Sequence, residues 1–198
     1  LAAAKNLPAN WVQEPPEHWY SAPMMPVQGA TLGLLGYGAI GQAVAARARA
    51  FGMEIQALVR RPRAAANENG VTYLANLESL MATSDHLVIA APATADTLHI
   101  IDATRLAAAR PGLHLVNVSR GSLLDQQALR QALDDGPLGL ASLDVVEPEP
   151  LPPGHWLYQH PQVRLSPHIS WNSPAAVVNM ESLFLQNLAR FVEGRPLS

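Results

Sequence analysis

The sequence predicts a doubly wound α/β fold with a parallel sheet. Three observations predict it. From residue 31 onward, short apolar runs alternate with helical stretches. Several of those runs are apolar throughout instead of alternating, as strands buried on both faces are. A glycine-rich turn also links the first run to the first helix, as in open sheets with helices on both faces.

The elements follow in order. TLGLLG (31–36) is a buried strand bounded by glycine, and AIGQAVAARARAFG (39–52) is a helix closing on Gly52. MEIQALV (53–59) is the second strand and VTYL (71–74) a short third. NLESLMATS (76–84) is a helix with Asn76 as its cap. HLVIAA (86–91) is a buried strand that stops at Pro92. DATRLAAAR (102–110) is a helix, LHLVNV (113–118) a strand, and DQQALRQALDD (125–135) a helix opened by Asp125. LGLASLDVV (138–146) and VRLS (163–166) are the last strands. Residues 174–193 form a long helix with Pro174 in its first turn and Gly194 at its end. Upstream, LAAAKNLP holds good helix formers up to Pro8 and reads as the tail of a helix. A chain that begins at Leu1 reads as a fragment or a processed product. Residues 12–29 carry four prolines without a period and read as a linker.

Bulk properties narrow the function. Of 198 residues, 48% are hydrophobic and 15% charged, and the net charge is −3. A nucleic-acid binder needs a basic face, so that class is disfavoured. With no cysteine there is no disulfide scaffold and no thiolate metal site. No apolar run approaches the roughly 20 residues that span a bilayer, and no basic-then-apolar leader is present. A soluble cytoplasmic protein is expected. No histidine pair has H-x₃-H or H-E-x-x-H spacing, so no metal site is expected.

Gly36-Tyr37-Gly38-Ala39-Ile40-Gly41 matches G-x-G-x-x-G between a strand and a helix, the context in which the motif is informative. Gly36 serves the tight turn, Gly38 the approach of a pyrophosphate, and Gly41 the packing of helix on strand. The free N–H groups of the helix start then hold phosphate. The chain is therefore read as a dinucleotide-binding (Rossmann) domain over 29–170. Residues 1–28 precede it as a helix tail and a linker, and 171–198 follow it with the long C-terminal helix. An NAD site has an acid about 20 residues beyond the loop. Here that count reaches Arg61, beside Arg60 and close to Arg63, while Glu54 lies at the strand's start. Arginine suits a 2′-phosphate, so NADP(H) is favoured over NAD(H). A solvated basic turn is the alternative.

Arg120 in NVSRGSLLD (117–125), Asp144 and Glu149 in LDVVEPEP (143–150), and His168 in LSPHIS (165–170) all lie just past predicted strands. Such folds bind ligands at that edge. Each residue singly has a structural alternative: an ion pair, a surface acid, a turn histidine. Trp171 follows SPHIS and either narrows a pocket or packs on the last helix.

GLLGYGAIG, PATADT, NVSRGSLLD, LDVVEPEP and SPHIS, in this order, resemble the D-isomer-specific 2-hydroxyacid dehydrogenase family and look glyoxylate/hydroxypyruvate reductase-like. The resemblance implies roles. Arg120 holds the substrate carboxylate and polarises its carbonyl. His168 is the general acid/base, and Glu149 pairs with it. Asp144 lies near the nicotinamide. Ala91, Pro92, Thr97, Val118, Ser119 and Ser170 line the cofactor. A carboxylate beside the histidine would favour its charged form, and arginine offers a fork to an anion. The resemblance also implies a homodimer formed through the cofactor domain, a small 2-keto or 2-hydroxy acid as partner, and a substrate domain that this chain lacks, to which a remnant connecting helix in 1–28 and a C-terminal connecting helix in 171–198 would lead. Dinucleotide binding with little or no turnover is expected of the chain alone. Three readings stay open beside it: a dinucleotide-sensing corepressor-like protein, a structural dimer module, and a phosphite dehydrogenase-like enzyme. Glu149 speaks against formate oxidation, where relatives carry glutamine.

Overall fold

The computed structural model describes residues 1–7, 10, 24–60 and 67–197. An eight-stranded sheet forms its centre: β1 (Thr31–Leu35), β2 (Glu54–Leu58), β3 (Asn67–Glu68), β4 (Val71–Tyr73), β5 (His86–Ile89), β6 (Leu113–Asn117), β7 (Leu138–Leu143) and β8 (Val163–Leu165). The spatial order is β3-β4-β2-β1-β5-β6-β7-β8. All neighbouring pairs are parallel except β3 with β4. Winding runs outward from β1 through β2 to β4, then returns to β5 on the other side of β1. The order thus reverses between β1 and β5, and a crevice opens beyond their carboxyl ends.

The helices are α1 (Ala39–Ala50), α2 (Leu77–Thr83), α3 (Ala103–Ala107), α4 (Gln126–Asp134) and α5 (Pro174–Val192). Leu32, Leu34, Ile55, Ala57 and Val88 point to one face and pack with Ala45 and Ala48 of α1. Leu35, Leu87, Ile89, Leu115 and Leu143 point to the other and pack with Leu80, Met81, Leu106 and Leu129 of α2 to α4. Period-2 alternation thus survives although both faces are covered, which is why these strands read as continuous apolar runs. Each buried leucine contributes roughly 1.5–3 kcal/mol. α5 differs: none of its residues is buried, and Phe184 and Phe191 are 66% and 73% exposed.

Two expected element ends need correction, and two features add to the expectation. Beside the parallel strands, Asn69 and Gly70, at φ 55° and 73°, turn the chain so that β3 pairs antiparallel with β4. Asn-Gly is the favoured sequence for such a turn. Residues 2–7 form turns that close as a helix tail does: Lys5 N–H donates to the Leu1 carbonyl (3.0 Å), Leu7 N–H to the Ala2 carbonyl (2.8 Å), and Asn6 is left-handed at φ 50°. This segment is tied down by Met25 N–H to the Ala4 carbonyl (2.9 Å) and by Arg164 to Asn6 Oδ1 (3.2 Å). α3 ends at Ala107, earlier than expected, as Pro111 disfavours helical backbone at Arg110. β7 ends at Leu143, which leaves Asp144 to Val146 in the loop that carries Glu149.

Candidate functional site

The glycine loop lies at the topological reversal. Gly36 has φ 98°, and a Cβ there would stand 2.7 Å from the Ala90 carbonyl oxygen at the end of β5. A Cβ on Gly41 would stand 2.5 Å from the Gly36 carbonyl oxygen. Both positions therefore exclude a side chain for reasons internal to the fold. Gly38 is different: its φ is −80°, and a Cβ there would meet nothing within 4 Å. The fold does not require glycine at that position, but a ligand passing over the loop would. α1 also lacks a capping side chain and an acid in its first turn. Asn76, Asp102, Asp125 and Ser173 cap α2, α3, α4 and α5. The first N–H groups of α1 thus face an open space next to Ala39 and Ile40, both exposed. That arrangement suits an anion. Tyr37 turns away from it and meets Tyr73 edge to face, ring centres 5.9 Å apart.

Beyond β6, buried Asn117 fastens the next loop. Its amide donates to the Arg120 carbonyl (2.9 Å) and accepts from Ser119 N–H (3.1 Å). Ser119 Oγ donates to the Ala91 carbonyl, which joins this loop to the end of β5. A Cβ on Gly121 would overlap the Val146 backbone. Arg120 is thereby carried next to the loop of Glu149. Its guanidinium is exposed and donates to the Ser119 carbonyl (2.6 Å).

His168 Nδ1 lies 2.8 Å from Glu149 Oε2, and the two side chains are 40% and 38% exposed. Glu149 Oε1 accepts from Val146 N–H at 3.0 Å. Partial burial would raise the Glu149 pKa. The hydrogen bonds from His168 and Val146, with the charges of His168 and Arg120, outweigh that and hold the carboxyl below its usual range. An ionised Glu149 only accepts, so Nδ1 carries the proton of this bond and Nε2 is left for exchange. Next to the pair opens a cavity of ≈ 580 Å³ with Val146, Leu151, Tyr158 and Leu165 in its walls. Apolar walls strengthen the hydrogen bond between them.

Asp144, expected near the nicotinamide, is buried, and its carboxylate is taken up by the turn that holds His168. It accepts from Ser166 Oγ, Ile169 N–H (3.1 Å) and Ser170 N–H (2.9 Å). Burial raises its pKa, but these bonds prevail and bring it to about 2. Thr97 is likewise engaged locally: its hydroxyl bonds the Pro92 carbonyl (2.9 Å) and accepts from Thr94 N–H (2.8 Å). Val118 packs partly buried against the β1–β2 core.

Arg60 is exposed just past β2, and Glu54 stands at that strand's far end. Arg61 and Arg63 lie outside the described residues. Asn117 and Gly121 are the site residues that sequence reasoning did not single out. The Arg-Gly step at 120–121 was the available sign, since glycine there marks a close backbone approach. Among the described residues, no group of three or more histidines or acids is placed to hold a metal, and no helix is long and apolar enough to cross a membrane. The arrangement can hold a phosphate-bearing ligand at one point of the crevice. At another it can pass a proton next to a guanidinium.

Comparison with known proteins gives a consistent result. The model of the D-isomer specific 2-hydroxyacid dehydrogenase NAD binding domain matches residues 1–170. A glycerate dehydrogenase of Methylorubrum extorquens is 36% identical over 180 residues, which are 90% of this chain and 55% of that protein. A glyoxylate reductase of Thermococcus gammatolerans is 39% identical over 168 residues, 85% of this chain and 50% of that protein. The crystal structure of a glyoxylate reductase from Paecilomyes thermophila superposes with a TM-score of 0.81 at 37% identity, over 90% of this chain and 54% of that one. The chain spans about half the length of the curated relatives it matches.

Proposed function

The chain belongs to the D-isomer specific 2-hydroxyacid dehydrogenase family, and we propose that it is the dinucleotide-binding half of a reductase that converts a small 2-keto acid into its D-2-hydroxy acid with NADP(H). The observation that carries this reading is the His168–Glu149 pair, 2.8 Å apart, on the same sheet edge as an uncapped helix start and the open position at Gly38.

The residues present suit a dinucleotide. The first turn of α1 would hold its pyrophosphate. Arg60, with Arg61, would hold a 2′-phosphate, and no acid takes that place at the end of β2. When bound, the cofactor supplies the hydride. The chain's own groups do the rest. Arg120 grips the substrate carboxylate and stabilises charge that grows on the carbonyl oxygen. His168 delivers a proton from Nε2 to that oxygen. Glu149 keeps Nδ1 protonated and steadies the imidazolium before transfer. Asp144 holds the backbone from which His168 is aimed. The remaining substrate contacts fall to a second domain, the part of the relatives' length that this chain does not match. The 198 residues alone then bind dinucleotide and turn over little. A cytoplasmic homodimer joined through this domain completes the reading, and the exposed apolar face of α5 supports a covered surface there.

The test is steady-state reduction of glyoxylate and hydroxypyruvate with NADPH. The bare chain is expected to be nearly inactive. Fusion to the unmatched portion of the Thermococcus gammatolerans glyoxylate reductase is expected to give turnover that His168→Gln abolishes. A fusion that binds NADPH and reduces neither acid contradicts the reading, as does full turnover by the bare chain.

A further inference from the structure

His168 has φ 54°. Left-handed backbone is uncommon for a residue with a Cβ and persists where its surroundings over-determine it. One side of the peptide is fixed by the core: His168 N–H donates to the carbonyls of Asp144 (2.9 Å) and Ser166 (3.1 Å). The other side is fixed by Trp171, whose indole Nε1–H donates to the His168 carbonyl at 3.1 Å. Trp171 is 59% exposed, whereas a side chain with so much apolar area normally contributes through burial. The α5 helix that follows has no buried residue. Tryptophan carries one N–H at a fixed point of a rigid plate and no acceptor, and its single donor is spent on the His168 carbonyl.

We infer that Trp171 is a positioning residue for His168. With N–H and C=O both anchored, φ and ψ of His168 are set, and so is the direction of its Cα–Cβ bond. That direction keeps Nδ1 against Glu149 and leaves Nε2 facing outward. Releasing the carbonyl frees ψ while the core-side anchor and Asp144 remain. The fold and the dinucleotide loop stay intact, and the aim of the imidazole loosens. The consequence for catalysis rests on the proposed reduction; the anchoring itself does not.

Trp171→Phe keeps a flat apolar ring and removes the donor. Long-range ¹H–¹⁵N spectra of the His168 imidazole in the 198-residue chain read the effect without any turnover. The parent shows a single Nδ1-protonated neutral tautomer. Trp171→Phe shifts the ring signals toward averaged tautomers, as Glu149→Gln does, with unchanged melting temperature and dinucleotide affinity. In the active fusion, kcat for glyoxylate falls about tenfold with KM little changed. His168 signals in Trp171→Phe that match the parent's overturn the inference. So does a loss that spares glyoxylate and grows with the side chain of the 2-keto acid, since the ring would then be a pocket wall. If the fusion reduces no keto acid yet Trp171→Phe shifts the imidazole signals, the proposed reaction fails and the positioning role stands.

Discussion

The two edges of the sheet each carry a histidine in a close pair, and the pairs are opposites. At the carboxyl edge, His168 faces a carboxylate, with both side chains more than a third exposed. At the amino edge, His86 of β5 and His114 of β6 are register partners, with Nδ1 atoms 3.1 Å apart and both residues buried. His114 Nε2 continues to Ser142 Oγ at 2.9 Å. Burial lowers both of these pKa values, for His114 to about 3, with Asp85 opposing the fall at His86. Two neutral rings share one proton in their Nδ1 contact, and a second proton would break it. The carboxyl-edge pair has solvent access and a carboxylate partner instead. Residue type is the same at both edges; partner and burial differ, and at the amino edge burial favours the neutral rings.

The largest expected effect is on turnover. His168→Gln in the active fusion lowers kcat by about 10²–10⁴-fold, and His86→Leu leaves it within about twofold. Comparable losses in steady-state assays would erase the distinction between the edges. Next comes ligand selectivity at the carboxyl edge. Arg60→Ala and Arg61→Ala each weaken NADPH by roughly 1.5–3 kcal/mol and NADH little, read by titration calorimetry. Equal losses for both cofactors would remove the case for a 2′-phosphate. Gly121→Ala forces a methyl into the Val146 backbone and lowers stability by about 1–3 kcal/mol, measured by denaturant unfolding.

The smallest effect separates the edges by pH. Because burial depresses the His86 and His114 pKa values in the folded state, the unfolded chain binds more protons below the ordinary histidine value of 6.5. Stability therefore falls from about pH 6.5 toward pH 3, by up to about 1.4 kcal/mol per pH unit for each proton. Replacing both histidines by leucine flattens this slope. Asp144 behaves differently: its carboxyl moves from 3.8 to about 2. The stability it lends is full above 3.8 and disappears as pH falls through 2. Unfolding curves at stepped pH distinguish the two windows.

The sequence disclosed what depends on local pattern. Caps at Asn76 and Asp125, the strand–loop–helix around Gly36, and the strand-end placement of Arg120, Glu149 and His168 all follow from neighbours within a few residues. The Asn69-Gly70 turn was equally local and was visible as an Asn-Gly step. What stayed hidden depends on contacts far apart in the chain. Asp144 accepts from residues 22 to 26 positions away, so its structural role has no local signature. The His86–His114 pair exists only because β5 and β6 become neighbours. The resemblance named Arg120 and His168 as partners in chemistry, yet the Gly121 contact that brings Arg120 toward Glu149 belongs to the folded backbone.

Binding of a dinucleotide across the glycine loop is the premise of every role proposed at the carboxyl edge, and Gly38 tests it most directly. A methyl group there touches no protein atom within 4 Å, so Gly38→Ala should leave the melting temperature unchanged. It should weaken NADPH and NADH alike by at least about tenfold, since the methyl would occupy the path of the pyrophosphate. Parent-like affinity in Gly38→Ala, or no dinucleotide binding by the parent chain, would contradict the account.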